Sequence, residues 1–242
     1  MALKTKPLSA QTALVTGGGT GIGRAFTEAL AASGAHVVIA SRRKDVLHRT
    51  ADELNASVGS ERVFPYAFDI RDRAQTEALV RHVVERFGAI DVLINNSGLA
   101  VPETVERITD EGWDKVLDTN LRGAMWLVRA VLPSMSAADF GDIVNVSSQA
   151  GKHGYADVPS YCASKFGLLG FAEAVRDHVR KAGVNIRVFN FCPGLVDVDN
   201  TGRDDQPREG AIHVANMART LLFALSLDRN VVVEDINLYS RG

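Results

Sequence analysis

The chain has 242 residues, 46% of them hydrophobic, with a formal net charge of -2. That composition supports a sizeable α/β core and excludes the basic surface that nucleic acid requires. Two cysteines, Cys162 and Cys192, stand in apolar surroundings and form no disulfide framework, and no apolar run of leader or membrane length precedes the first strand. A cytoplasmic protein with no membrane partner is expected.

Apolar strand-like runs alternate with helical patterns along the chain. Thr12–Thr16 is expected as a strand, followed by a glycine cluster and a helix over about Ile22–Ser33 that Gly34 stops. Ala35–Ser41 is a nearly all-apolar second strand, as a strand covered on both faces should be. An amphipathic helix over Lys44–Ser57, a strand over Arg62–Phe68, a helix over Arg71–Phe87 and a short strand over Val92–Ile94 follow. A long helix is expected over Glu111–Met135, then a strand over Ile143–Val146, a long helix over Ser160–Ala182 and a strand over Asn185–Phe191. Leu195–Gly210 reads as loop, Val214–Leu225 as helix and Val231–Tyr239 as the last strand. The whole is a doubly wound parallel sheet with helices on both faces, one domain over 1–242, with a lid at about 195–213.

Thr16-Gly17-Gly18-Gly19-Thr20-Gly21-Ile22-Gly23 lies between the first strand and the first helix. Glycines there let the backbone approach a pyrophosphate, and the helix N-terminus supplies N–H groups and a positive dipole end. A tight turn without ligand is the other reading of a glycine cluster. The second strand ends Ser41-Arg42-Arg43, where an NAD site carries an acidic residue for the ribose. A guanidinium and a hydroxyl suit a 2′-phosphate, so NADP(H) is expected with Arg42 the main contact and Ser41 secondary. The alternative for the arginines is a solvated turn. Asp69 and Ile70 close the third strand and suit an adenine amino group and ring, or equally a helix cap and a core residue.

Tyr161 and Lys165 stand four apart and share a helix face, and Ser148 leaves the preceding strand just before a polar loop. Hydroxyl, phenol and ammonium can meet at one point. A phenol titrates near 10, and an adjacent ammonium favours its phenolate. A shift of roughly three units corresponds to about 4 kcal/mol. Taken singly, Tyr161 is also readable as packing, Lys165 as a surface lysine and Ser148 as a cap. Gln149, His153 and Tyr155 follow Ser148, with Gln149 a candidate for the substrate side together with Ser148 and Tyr161. Cys162 and Cys192 read as packing, and no side-chain cluster has metal-ligand spacing.

These motifs, with Asp69, Asn95-Asn96-Ser97-Gly98, Asn120 and Pro193-Gly194, resemble the short-chain dehydrogenase/reductases over nearly the whole chain, the NADP(H)-preferring and 3-oxoacyl-reductase-like members included. The resemblance implies a Rossmann-type fold with seven parallel strands and a bound nicotinamide cofactor. It implies Asn120, Ser148, Tyr161 and Lys165 as the catalytic set, with Asn120 holding a water that links Lys165 to solvent. Cofactor contacts are implied at Gly17, Thr20, Gly21, Ile22, Gly23, Asn96, Gly98, Tyr161, Lys165, Pro193, Gly194 and Val196. It also implies a homodimer or homotetramer through the two long helices. Ser97 replaces the family's usual Ala, Val198 stands where many relatives have Thr, the lid is short, and the last strand lacks the Val-Asp-Gly-Gly ending. The expected activity is NADPH-dependent reduction of a ketone or aldehyde. An NADP-dependent alcohol dehydrogenase and a non-catalytic NADPH-binding protein stand as alternatives.

Overall fold

A computed structural model describes residues 3–198 and 209–241. Seven strands form one parallel sheet: β1 (Thr12–Thr16), β2 (His36–Ser41), β3 (Val63–Ala67), β4 (Val92–Asn95), β5 (Gly141–Val146), β6 (Ile186–Pro193) and the edge strand Asp235–Leu238, here β9 because two short strands precede it. Their spatial order is β3-β2-β1-β4-β5-β6-β9. The short strands β7 (Val196–Asp197) and β8 (Ile212–His213) pair with each other outside this sheet.

Strand side chains alternate between two apolar layers. Ala13, Val15, Ile39, Ile94 and Phe191 face one side, against α1 (Gly21–Ala32), α2 (Lys44–Val58) and α7 (Val214–Ser226). Leu14, Val38, Leu93, Ile143 and Val188 face the other, against α3 (Arg73–Phe87), α5 (Gly123–Ala138) and α6 (Pro159–Ala182). Being apolar on both faces is what a parallel sheet covered by crossover helices demands. The winding reverses between β1 and β4, so a crevice opens at their carboxyl ends, where ligands bind in such sheets.

Three segments depart from the sequence pattern. The long helix expected over Glu111–Met135 is α4 (Asp110–Leu117), a π-helical turn (Asp118–Arg122) and α5 to Ala138. Its extra residue per turn is not encoded in apolar spacing. The last strand is four residues, Asp235–Leu238, because β6 pairs with it only from Asn190 onward. Val231 and Val232 lie outside it and are 40% and 61% exposed. The stretch expected as loop from Leu195 contains β7, while residues 199–208 of the expected lid lie outside the described residues.

A buried ionic cluster holds the amino ends of β5 and β6. The Asp142 carboxylate accepts from Arg187 Nε at 2.7 Å and from Arg229 Nη1 at 2.8 Å, and the side chains are 2% and 6% exposed. The remaining guanidinium N–H groups donate to the carbonyls of Gly141, Asn185, Leu225 and Leu227. Removing the carboxylate strands two buried cations. Asp142→Ala is therefore expected to lower unfolding stability by about 3–5 kcal/mol in denaturant titration, whereas a loss below about 1 kcal/mol would show that the cations find other compensation.

Candidate active site

The loop joining β1 to α1 is shaped by contacts that exclude side chains. Gly17 has φ +66° and a Cβ there would lie 2.9 Å from Asn96 Nδ2, while Gly21 has φ +54°. A Cβ on Gly23 would fall on the Gly17 carbonyl. Thr20 precedes α1 in extended conformation and makes no side-chain cap. The first-turn N–H groups of Gly21, Ile22 and Gly23 are thus left for an anion at the positive end of the helix, which fits a pyrophosphate. Asn96, expected as a cofactor contact, braces this loop: its Nδ2 donates to the Thr16 carbonyl at 2.9 Å, and its backbone N–H donates to Thr16 Oγ1 at 3.0 Å.

Basic groups flank the loop at the end of β2. Arg42 is exposed and its charge acts on the Asp69 carboxylate, beside half-buried Ser41. Arg43, which the motif reading did not single out, donates through Nη2 to Thr20 Oγ1 at 3.3 Å. Asp69 is engaged by Arg71, which donates from its backbone N at 3.0 Å and from Nη2 at 2.7 Å. That pairing holds the carboxyl below its usual range. Ile70 is a core residue, 6% exposed, and a Cβ on Gly123 of α5 would lie 2.5 Å from its Cγ1. Of its two expected readings, the structure shows Ile70 packed between sheet and helix.

β5 and α6 bring the polar triad together. Pro159 opens α6 at a position where a missing N–H costs nothing. Lys165, one turn after Tyr161, is 3% exposed; its Nζ donates to the Val146 carbonyl at 2.7 Å and lies 5.4 Å from the Tyr161 ring centre. The Ser148 hydroxyl accepts from Ala150 N at 3.1 Å and lies close enough to the Tyr161 phenol to favour its phenolate. Burial pulls Lys165 down to about 8 and pushes the Tyr161 phenol above its usual 10, with Ser148 acting the other way. The direction for the phenol is opposite to the depression expected from Lys165, and burial is its largest cause.

Asn120 sits in the π-helical turn, 1% exposed. Its Nδ2 donates to the Leu99 carbonyl at 2.8 Å and to Ser164 Oγ at 3.0 Å, and its Oδ1 accepts from Leu99 N at 2.9 Å. The side chain ties the loop after β4 to α6. A Cβ on Gly98 would lie 3.3 Å from Asn120 Oδ1 and 3.4 Å from Lys165 Nζ, so the loop approaches both closely.

In the loop after Ser148, the Tyr155 hydroxyl donates to Gln149 Oε1 at 3.3 Å, and a Cβ on Gly194 would lie 2.7 Å from Gln149 Nε2. Gln149 is therefore held between a loop tyrosine and the end of β6. Pro193 is buried at that end, and Val196 in β7 is 6% exposed. Val198 packs on the core cluster of α1 and α7. Cys162 accepts through Sγ from Tyr155 N at 3.3 Å and is a packing residue, as expected. Among the described residues no group of three or more metal-ligating side chains occurs, and no helix is long and apolar enough to cross a membrane.

The model of the short chain dehydrogenase family matches residues 11–209. The chain is similar to the 3-oxoacyl-[acyl-carrier-protein] reductase of Thermotoga maritima, 35% identical over 85% of this chain and 82% of the relative. Among solved structures, an alcohol dehydrogenase from the archaeon Thermococcus sibiricus complexed with 5-hydroxy-NADP superposes with a TM-score of 0.87 at 27% identity, covering 95% of this chain and 96% of that one. A short-chain dehydrogenase/reductase from Burkholderia phymatum in complex with NAD gives 0.86 at 26% identity, over 96% and 90%.

The buried ammonium has a measurable effect on stability. Lys165 titrates near 8 when folded against the usual 10.5. Between those values the unfolded chain binds more protons, so this group makes stability rise with pH from about 8 to about 10.5. Below 8 its desolvation cost is fully present, roughly 3–4 kcal/mol. Lys165→Met should stabilise the fold by about that amount at pH 7 and remove the rise above pH 8 in denaturant melts. Equal stabilities at pH 7 would contradict the burial cost.

Proposed function

The chain belongs to the short-chain dehydrogenase family, whose chemistry is hydride exchange between a nicotinamide cofactor and a carbonyl or alcohol carbon, and from that premise we propose that this protein reduces a ketone or aldehyde with NADPH. The observation that carries the reading is the Tyr161 phenol, beside Ser148 and one turn from a buried ammonium.

When bound, the cofactor supplies the hydride. The chain's own residues then have separate tasks. The first turn of α1 and the backbone of Gly17–Gly23 hold the pyrophosphate. Arg42 and Ser41 take the 2′-phosphate, with Arg43 as a second cation at the loop; no carboxylate stands at this strand end to repel it. Lys165 holds the nicotinamide ribose, and the backbone of Pro193–Gly194 and Val196 lines the nicotinamide side. Tyr161, its proton retained at neutral pH by burial, donates it to the substrate oxygen. Ser148 hydrogen-bonds the same oxygen and stabilises its developing charge. In oxidation the same groups run in reverse, and the similarity to a Thermococcus sibiricus alcohol dehydrogenase favours keeping that direction open.

The likeness to the Thermotoga maritima reductase supports a 3-oxo group among the carbonyls accepted, with Gln149 contacting the substrate. A groove of about 490 Å³ between α4, α5 and α6, lined by Trp113, Leu117, Leu121, Met125 and Phe171, supports self-association through the long helices. Two variants test the reading. Tyr161→Phe should lower kcat at least about a thousandfold with NADPH affinity within about twofold; retained turnover removes Tyr161 as the acid. Arg42→Ala should weaken NADPH binding by about tenfold or more while leaving NADH binding nearly unchanged; equal losses remove the 2′-phosphate assignment.

A further inference from the structure

A row of polar side chains crosses the sheet just beneath the site. Asn95, Asn145, Asn190 and Asp235 are direct register partners on β4, β5, β6 and β9. The three asparagines are 4%, 1% and 0% exposed, in strands that are otherwise apolar on this face. Asn95 Nδ2 donates to Asn145 Oδ1 at 2.9 Å, Asn145 Nδ2 to Asn190 Oδ1 at 3.3 Å, and Asn190 Nδ2 to Asp235 Oδ1 at 2.8 Å. The row has one sense. A carboxylate only accepts, so Asn190 turns its amide nitrogen to Asp235 and its oxygen to Asn145, and the next pair follows.

The row ends on a cation from the active-site loop. Lys152 Nζ donates to the other Asp235 oxygen at 2.8 Å, and both side chains are 29% exposed. Lys152 closes the 3₁₀ turn Gln149–Gly151 that Ser148 opens: its N–H donates to the Gln149 carbonyl at 2.9 Å. On the turn's other side, a Cβ on Gly151 would lie 2.6 Å from Ser147 Oγ and 3.0 Å from the Lys165 carbonyl. The turn is thus wedged against α6 by Gly151 and tethered to the edge strand by Lys152.

The structure assigns Lys152 and Asp235 as a positioning pair, whose contact fixes the turn that begins at Ser148 and thereby the Ser148 hydroxyl against the Tyr161 phenol. The assignment rests on the roles given above to Ser148 and Tyr161. A misplaced donor at a reacting oxygen costs rate without removing cofactor affinity, so the pair acts on kcat. A merely structural ion pair, exposed to this extent, would alter stability slightly and leave the phenol's surroundings alone.

The test uses the full chain with ¹³C-labelled tyrosine, which gives four tyrosine signals; that of Tyr161 is identified by its loss in Tyr161→Phe. Lys152→Met should shift the Tyr161 ring signal at neutral pH in the same direction as Ser148→Ala, and Lys152→Arg should keep it at the wild-type position. Lys152→Met should also lower kcat by about tenfold with the NADPH dissociation constant within about twofold, and Lys152→Arg should restore kcat. A Tyr161 signal unmoved by Lys152→Met overturns the positioning role, whatever happens to kcat. If wild-type protein turns over no carbonyl or alcohol, the proposed function fails, while the positioning role is still decided by the spectra.

Discussion

A lysine ammonium held at 3% exposure sets the terms for the rest of this site. Burying a cation beside an apolar sheet is unfavourable unless polar groups meet it. Here the Val146 carbonyl does so at the very end of β5. The surrounding parts are shaped by that requirement. Gly98 leaves room for the ammonium, the π-helical turn brings Asn120 to brace the same loop, and α6 carries Tyr161 one turn ahead. The ammonium lies at the point where strand end, loop and helix converge, so its cost is borne by the fold and its benefit falls to the chemistry.

The same tension runs through the strand ends. Thr16, Asn95, Asn145 and Asn190 are polar residues placed where apolar ones would pack without hydrogen bonds. Each bonds a neighbour in register or a loop amide, although the Asn95 oxygen is left buried without a partner, and together they tie the carboxyl ends of the strands into one edge. That edge coincides with the reversal of winding between β1 and β4, which is where an open sheet offers a crevice. Rigid strands therefore present the loops that carry Ser148, Gly98 and Gly194.

Much of this was legible in the sequence. Strand and helix alternation gives the seven-stranded sheet, and the four-residue spacing of Tyr161 and Lys165 gives their shared face, because both depend on local periodicity. The less legible features depend on contacts between distant residues. Nothing in Asn-Asn-Ser-Gly says that Asn96 braces the glycine loop, and nothing around Ile70 says that it fills the gap left by Gly123. The π-helical turn leaves no trace in apolar spacing. The pairing of Lys152 with Asp235 spans 83 positions, and its only local hint is the acidic pair Glu234-Asp235 after a run of valines. The direction of the Tyr161 shift also escaped, since spacing reports which charges are near and not how dry the site is.

The central claim is that this dry, proton-retaining site reduces a carbonyl with NADPH. Its most direct test is to incubate the wild-type chain with a panel of ketones, aldehydes and 3-oxo esters, and to follow NADPH and NADH oxidation in parallel. The account predicts substrate-dependent oxidation of NADPH with at least one carbonyl, at a kcat/KM well above that with NADH. NADPH that binds but is consumed with no carbonyl, or NADH used in preference, would contradict it.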